Sequence, residues 1–439
     1  NFFCLGPSGS GKSFHMNSVV RQLWEQNTDV VMVDTGNSYE GLCEYVGGKY
    51  ISYTEEKPIT MNPFRINREE LNVEKTGFLK NLVLLIWKGS QGTVTKTEDR
   101  LIDQVITEYY DTYFNGFTGF TPPLREDLRK SLIIDDRNRS HQNPDETEAQ
   151  REERLERTIN QIEQRRKELK VESLSFNTFY EFIRDEYQEI LKTKRTREKD
   201  FDVWGFLNVL EPYYKGGEYD YLLNSEKQLD LLSKRFIVFE LDNIKDNKVL
   251  FPIVTIIIME TFINKMRKLK GIRKMILLEE AWKAISKEGM AEYLKYLFKT
   301  VRKFFGEAVV VTQEVEDIIS SPIVKGTIIN NSDCKILLDQ RKYVNKFDEI
   351  QSLLGLTDKE RAQILSINMA NSPSRKYKEV WIGLGGTQSA VYATEVSPEE
   401  YYTYTTEETE KLEVMRLTRK LGGNIELAIK QLAESKRKK

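Results

Sequence analysis

The stretch Gly6-Pro7-Ser8-Gly9-Ser10-Gly11-Lys12-Ser13 constrains this chain more than any other, because it fills the pattern G-x-x-x-x-G-K-[ST] completely. An apolar run, Phe2 to Leu5, supplies the strand that should feed it, and Phe14 to Trp24 the helix that should follow. Glycines let the backbone curl until several N–H groups point inward at a β-phosphate. Lys12 then reaches the β/γ oxygens, the Ser13 hydroxyl is placed for Mg2+, and the helix adds its positive end. A bland Gly/Ser turn would not need both flanking elements in register. All eight residues, Gly6 through Ser13, are therefore expected to hold a nucleoside triphosphate.

A second apolar strand, Val30 to Val33, ends at Asp34-Thr35-Gly36. Strand, loop, helix and strand in that order imply a parallel α/β sheet. Ile51 to Tyr53 suits another short strand, and Met61-Asn62-Pro63-Phe64 closes this first lobe, since a residue before Pro favours extended backbone. From about Arg68 to Leu232 the period changes. Leu79, Leu82, Val83 and Ile86 recur at helical spacing, as do Leu101, Ile102, Val105 and Ile106. Gly116 to Pro123 is a turn-rich break. Between Asp145 and Lys170 a charged helix carries the seam Leu155, Ile159, Ile162 and Leu169, with Arg166 where a heptad would place an apolar residue. Phe176 to Leu191 and Phe201 to Leu210 suit further helices. This block is expected to be an all-helical lobe over the nucleotide edge of the sheet, carrying partner contacts.

The sheet resumes at Phe236 to Phe239, followed by a helix over Pro252 to Lys268, with Pro tolerated in its first turn. Met275 to Leu278, Ala308 to Val311, Lys335 to Leu338, Val380 to Leu384 and Ala390 to Thr394 are short apolar runs suited to strands. A helix is predicted over Gly289 to Phe305, and two short ones after Glu407, broken at Gly422-Gly423. The expected division is 1–67 and 233–406 as halves of one core, 68–232 as the helical insertion, and 407–439 as a helical tail.

A length of 439 residues allows two or three domains. Lys+Arg 66 against Asp+Glu 68 leaves a net charge of −2, so no global basic excess advertises nucleic acid. Cys4, Cys43 and Cys334 form no C-x-x-C pair, which argues against a disulfide framework or zinc and fits a reducing cytosol. The longest apolar stretch, Phe251 to Ile263, holds Pro252 and Glu260 and is shorter than the ~20 residues of a spanning helix. Opening at Asn1, without Met and partway into a strand, the chain is expected to have an upstream domain. His15 and His141 are the only histidines, far apart, and no Ser/His/Asp arrangement emerges.

Met275-Ile276-Leu277-Leu278-Glu279-Glu280 is an apolar strand ending in two acids. At the mouth of the sheet, Glu279 would hold Mg2+ through water and Glu280 would polarise the attacking water. The usual first acid is Asp, so Glu279 brings one methylene that the site must absorb. Gln313, at the end of Val309-Val310-Val311-Thr312, is placed to sense a γ-phosphate. Asp34 is the runner-up acid. On the helix Gly289 to Phe305, Met290, Leu294, Leu297, Val301 and Phe304 form the buried stripe, while Lys295, Lys299 and Arg302 line another face. Either that face is simply solvated, or Arg302 enters a neighbouring subunit's site as an arginine finger, with Arg341 as second candidate.

In order, GPSGSGKS, VVMVDTGNSY, MNPF, FIVFELDNIKD, ILLEEAW, T-V-R-K and VVVTQ resemble the ATPases of type IV secretion and bacterial conjugation, in particular the TraG-type ATPases of conjugative transposons. The resemblance implies a RecA-like P-loop NTPase fold, α/β with a central mostly parallel sheet and the inserted all-α subdomain. It also implies ATP and Mg2+, an often hexameric homo-oligomer, and a place at the cytoplasmic face of the inner membrane. Attachment there would run through secretion-channel partners or a preceding N-terminal domain. The family's phosphate-loop role falls on Gly6 through Ser13, its acid pair on Glu279 and Glu280, its strand-end Gln on Gln313, and its Arg-Lys motif on Arg302 and Lys303. The implied function is an ATP hydrolase that energises a conjugative secretion channel. Two alternatives stay open: a hexameric motor of the same fold that threads DNA directly, and a nucleotide-gated scaffold with little hydrolysis, favoured by the Glu279 departure.

Overall fold

Strand-forming runs far apart in the chain assemble into one sheet. In the computed structural model the described residues are 1–89, 92–115, 129, 147–167, 171, 173–187, 200–226, 233–280, 291–313, 325–369 and 377–437. The chain divides into two compact units, 1–59 with 229–439, and 60–228.

In the first unit the strands are β1 (Phe2–Leu5), β2 (Asp29–Asp34), β3 (Lys49–Ser52), β4 (Phe236–Glu240), β5 (Lys274–Glu279), β6 (Gly306–Thr312), β7 (Cys334–Leu337), β8 (Tyr377–Leu384) and β9 (Gln388–Glu395). Their spatial order is β3-β4-β2-β5-β6-β1-β7-β8-β9. β1 to β7 are mutually parallel, whereas β8 runs antiparallel to β7 and β9 antiparallel to β8. Every residue of β2, β4 and β5 is buried, as expected of parallel strands covered on both faces. The helix Leu250–Lys268 supplies part of that cover. Its Ile253, Val254, Ile256, Ile258, Met259, Phe262 and Ile263 are all buried, at about 1.5–3 kcal/mol each. Among the described residues no helix is long and apolar enough to cross a membrane.

Parallel register decides what meets at the carboxyl edge. Leu5 lies beside Thr312 and Leu337, Asp34 beside Glu240, and Glu279 beside Val311. Because β6 separates β1 from β5, Gln313 emerges between the phosphate loop and the acid pair.

The predicted helix Gly289 to Phe305 is α-helical over Ala291–Thr300 and tightens to a 3-10 turn over Val301–Phe304. Phe305 ends it at φ 56°. Helices that the apolar periodicity does not reveal include Phe347–Leu354, Asp358–Leu365 and Pro398–Tyr404. They are short, and the last two are marked by capping boxes, Thr357 with Glu360 and Ser397 with Glu400, not by a long apolar stripe. After Glu407 the two helices are Glu408–Lys420 and Ile425–Arg437, broken where Gly422 and Gly423 take φ 67° and 90°. They belong to the first unit. There Phe14 packs its ring 5.8 Å from Tyr401 and 5.7 Å from Tyr404.

The second unit contains helices and no strand among its described residues, including Val73–Lys88, Lys96–Asn115, Glu148–Lys167 and Val203–Leu210. Its core holds Phe64, Tyr109, Phe176 and Phe179, and Leu155 and Ile159 of the charged helix are buried. The break Gly116 to Pro123, His141, Leu169, Met290 and the side chains of Ile162 and Arg166 lie outside the described residues.

Candidate nucleotide site

The phosphate loop is pinned where it leaves the sheet. Gly6 N–H donates to the Thr312 carbonyl at 3.1 Å, and Leu338 N–H to the Leu5 carbonyl at 3.0 Å. The fully buried Gln340 amide donates to both Leu5 O, at 3.1 Å, and Leu338 O, at 2.9 Å. Gly11, at φ 86°, is the N-cap of α1 (Lys12–Glu25), a backbone state that glycine reaches without a Cβ penalty. The first N–H groups of α1 have no partner within the helix and so face an anion site.

Four side chains converge beneath that loop. Ser13 O–H donates to Glu279 Oε1 at 2.7 Å, and Lys12 Nζ lies 3.4 Å from the same oxygen. Tyr39 O–H donates to the other oxygen, Oε2. Lys12 is 6% exposed, Glu279 4% and Tyr39 0%, so the cluster is shielded from solvent. The extra methylene of Glu279 is absorbed by direct contact with Ser13. Burial, reinforced by the charge of Glu279, holds the Tyr39 phenol well above its ordinary titration range, so it remains a donor. A hydroxyl and a carboxylate at one point are oxygen donors suited to a hard cation such as Mg2+.

Glu280 leaves the strand line at φ 56°, a left-handed state that costs a non-glycine residue of order 1 kcal/mol or more. Two hydrogen bonds hold it there. Its N–H donates to Val311 O at 3.1 Å, and its Oε1 accepts the Gln313 N–H at 2.7 Å. Gln313 thus meets the acid through its backbone, while its residue lines the cavity described below.

Asp34, the runner-up acid, accepts three backbone N–H groups of the loop that follows β2. Its Oδ1 accepts the N–H groups of Thr35 and Gly36, at 2.9 and 3.2 Å, and its Oδ2 that of Ser38 at 2.5 Å. The carboxylate therefore folds the loop that delivers Tyr39 to α2 (Glu40–Tyr45). Burial, then the charges of Glu279 and Glu240, push its pKa up. Glu240, its neighbour across β4, braces the same loop by accepting the Asn37 N–H at 2.8 Å. Tyr39, Glu240 and Gln340 were not assigned roles from sequence. Tyr39 and Glu240 stood inside VVMVDTGNSY and FIVFELDNIKD, yet nothing local showed where they point.

The two arginines lie at opposite edges. Arg302 precedes β6, and so sits at the amino edge of the parallel sheet, away from the phosphate loop of its own chain. There it donates to Asn331 O at 3.0 Å and to Asp333 Oδ2 at 2.5 Å. The finger reading from sequence concerns a neighbouring subunit's site, and parallel strand direction keeps Arg302 away from the site of its own chain. Lys303 beside it is exposed. Arg341 follows β7 at the carboxyl edge, with its Nε 2.9 Å from both oxygens of Asp339.

A cavity of about 900 Å3 opens over the loop. Residues 7–15 and Gln313 form one wall; Tyr377, Lys378 and Thr394 of β8 and β9, with Tyr401 and Thr405 to Glu407, form the other. The volume suits a nucleotide-sized ligand. His15 on the first wall is pushed down to about 4 by burial.

A parallel sheet with a phosphate loop between β1 and α1, an interposed β6 and an acid pair ending β5 defines a RecA-like P-loop fold. The TraG P-loop domain matches residues 1–123 and 125–436. The chain belongs to that family. It is 22% identical over 361 residues to the type IV secretion system protein VirB4 of Bartonella henselae, which covers 82% of this chain and 36% of the relative. To TraC of Escherichia coli it is 20% identical over 345 residues, 77% of this chain and 32% of the relative. The chain thus spans about a third of the length of these relatives. Among solved structures, VirB4 of Thermoanaerobacter pseudethanolicus matches with TM-score 0.58 at 18% identity, covering 91% of this chain and 90% of that one. The plasmid coupling protein TrwB, in complex with the non-hydrolysable ATP analogue ADPNP, matches with TM-score 0.50 at 11% identity, over 90% and 85%.

Proposed function

We propose that this chain is an ATP-hydrolysing motor that energises a conjugative type IV secretion channel, driving channel or pilus assembly and substrate transfer. The observation that carries it is the Lys12–Ser13–Glu279 cluster, of which Lys12 and Ser13 line a nucleotide-sized cavity, with Glu280 next to Glu279 at the end of β5. Lys12 exchanges Glu279 for the β/γ oxygens when nucleotide enters. Ser13 and Glu279 are the residues that would hold Mg2+, which when bound neutralises phosphate charge. Glu280 takes the proton of the attacking water, and Gln313 registers the γ-phosphate. A cation from a neighbouring subunit, Arg302 or Arg341, completes the site in a homo-oligomer, a hexamer by family likeness. Work at the cytoplasmic face of the inner membrane, with channel proteins as partners, follows from the relatives' association with type IV secretion.

The DNA-threading alternative draws on the fold likeness to a plasmid coupling protein. The near-neutral net charge of −2 gives it no support. The scaffold alternative rested on Glu279, and the direct Ser13 contact weakens that ground. The test is ATP turnover with and without DNA. The expected result is Mg2+-dependent turnover that DNA does not raise and that Lys12→Ala removes. Parental turnover in Lys12→Ala places the site elsewhere, and turnover that depends on DNA favours the threading motor.

A further inference from the structure

We propose that Lys378 is a second phosphate-binding cation of this site, supplied within the same chain by β8; the inference rests on the nucleotide reading above. Lys12 is the one cation that the phosphate-loop motif itself carries. Strand direction supplies another. β8 is antiparallel to β7, with Trp381 opposite Leu337, so its first residues run about 10 Å past the carboxyl end of β7, onto the nucleotide edge. A β-carbon built on Gly11 would lie 3.4 Å from Lys378 Nζ and 3.7 Å from its Cδ. The ammonium therefore rests against the residue that opens α1, on the wall of the cavity.

Its backbone is fixed in place. Lys378 pairs with Thr394 of β9, whose hydroxyl donates to the Lys378 carbonyl at 2.8 Å. The adjacent Glu379 carboxylate accepts the Asn368 N–H at 2.7 Å, on the opposite face of the strand. The charge is also uncommitted. Lys12 is paired with Glu279, Arg302 with Asp333 and Arg341 with Asp339, whereas Lys378 makes no ion pair with a carboxylate among the described residues. An exposed, unpaired ammonium beside the N–H groups of a phosphate loop adds to their positive field and fits the phosphate chain of a nucleoside di- or triphosphate. Removing it takes away one charge-assisted contact, about tenfold in affinity.

The experiment measures equilibrium binding of fluorescent N-methylanthraniloyl ADP and ATP to the whole chain, in parent, Lys378→Met and Lys378→Arg, across a NaCl series. Expected are a roughly tenfold weaker Kd for both nucleotides in Lys378→Met, a shallower salt dependence, and recovery of most of the affinity in Lys378→Arg. Melting of the nucleotide-free variants should match the parent, since the side chain is exposed and unpaired. A Kd for Lys378→Met within twofold of the parent overturns the proposal, as does Lys378→Arg binding no better than Lys378→Met. Parent protein that binds neither nucleotide overturns the nucleotide reading itself, and this inference with it.

Discussion

Tyr39→Phe removes one oxygen from the buried cluster and leaves its packing volume almost unchanged. In the parent, Glu279 is 4% exposed and its Oε2 accepts the Tyr39 hydroxyl, while Oε1 is shared by Ser13 and Lys12. The variant strips Oε2 of that donor where water has little access. Hydrogen bonds to charged groups contribute about 1.5–3 kcal/mol, and a buried acceptor left without its donor loses a comparable amount. For a unit of this size that corresponds to a Tm lower by about 3–9 °C in the nucleotide-free protein. Thermal unfolding of Tyr39→Phe, Glu279→Gln and the double variant forms a cycle whose coupling should be of order 1 kcal/mol. The Mg2+ concentration for half-maximal turnover should rise together with the loss of stability, because Glu279 is no longer held from behind. A Tm within 1 °C of the parent, with unchanged Mg2+ dependence, would refute this account of Tyr39.

Two further outcomes follow from the same site. Glu280→Gln should keep nucleotide bound while turnover falls about 10²–10⁴-fold, since an amide cannot accept the proton of water. Mixed with Arg302→Ala protein, it should recover part of that activity; an inactive mixture of demonstrably co-assembled chains would move the test to Arg341→Ala. Burial lowers the His15 pKa from 6.5 to about 4, so the unfolded chain binds a proton that the folded one refuses. Stability is therefore full above pH 6.5 and declines toward pH 4, by up to about 3 kcal/mol. Denaturant melts at pH 7 and pH 4.5 should show a steeper fall for the parent than for His15→Gln; equal slopes would exclude His15 as the cause.

What the sequence determined by itself was whatever a short window encodes. GPSGSGKS specifies a loop because its glycines, lysine and serine act within one turn of chain, and the apolar runs specify strands because burial on both faces leaves no polar alternation. Strand ends carrying acids were equally legible, so Glu279 and Glu280 could be named before any fold existed. Which of these ends meet depends on strand order and direction. Parallel pairing carried Arg302 to the amino edge, away from the phosphate loop of its own chain, which no short window of sequence encodes. Tyr39, more than 200 residues from Glu279, meets it only because α2 follows a loop folded by Asp34. Lys378 looked like one charge among many; the antiparallel turn of β8 sets it against Gly11. Local propensity writes the elements, but long-range register decides which side chains share a site, because a sheet fixes edge positions to within one residue.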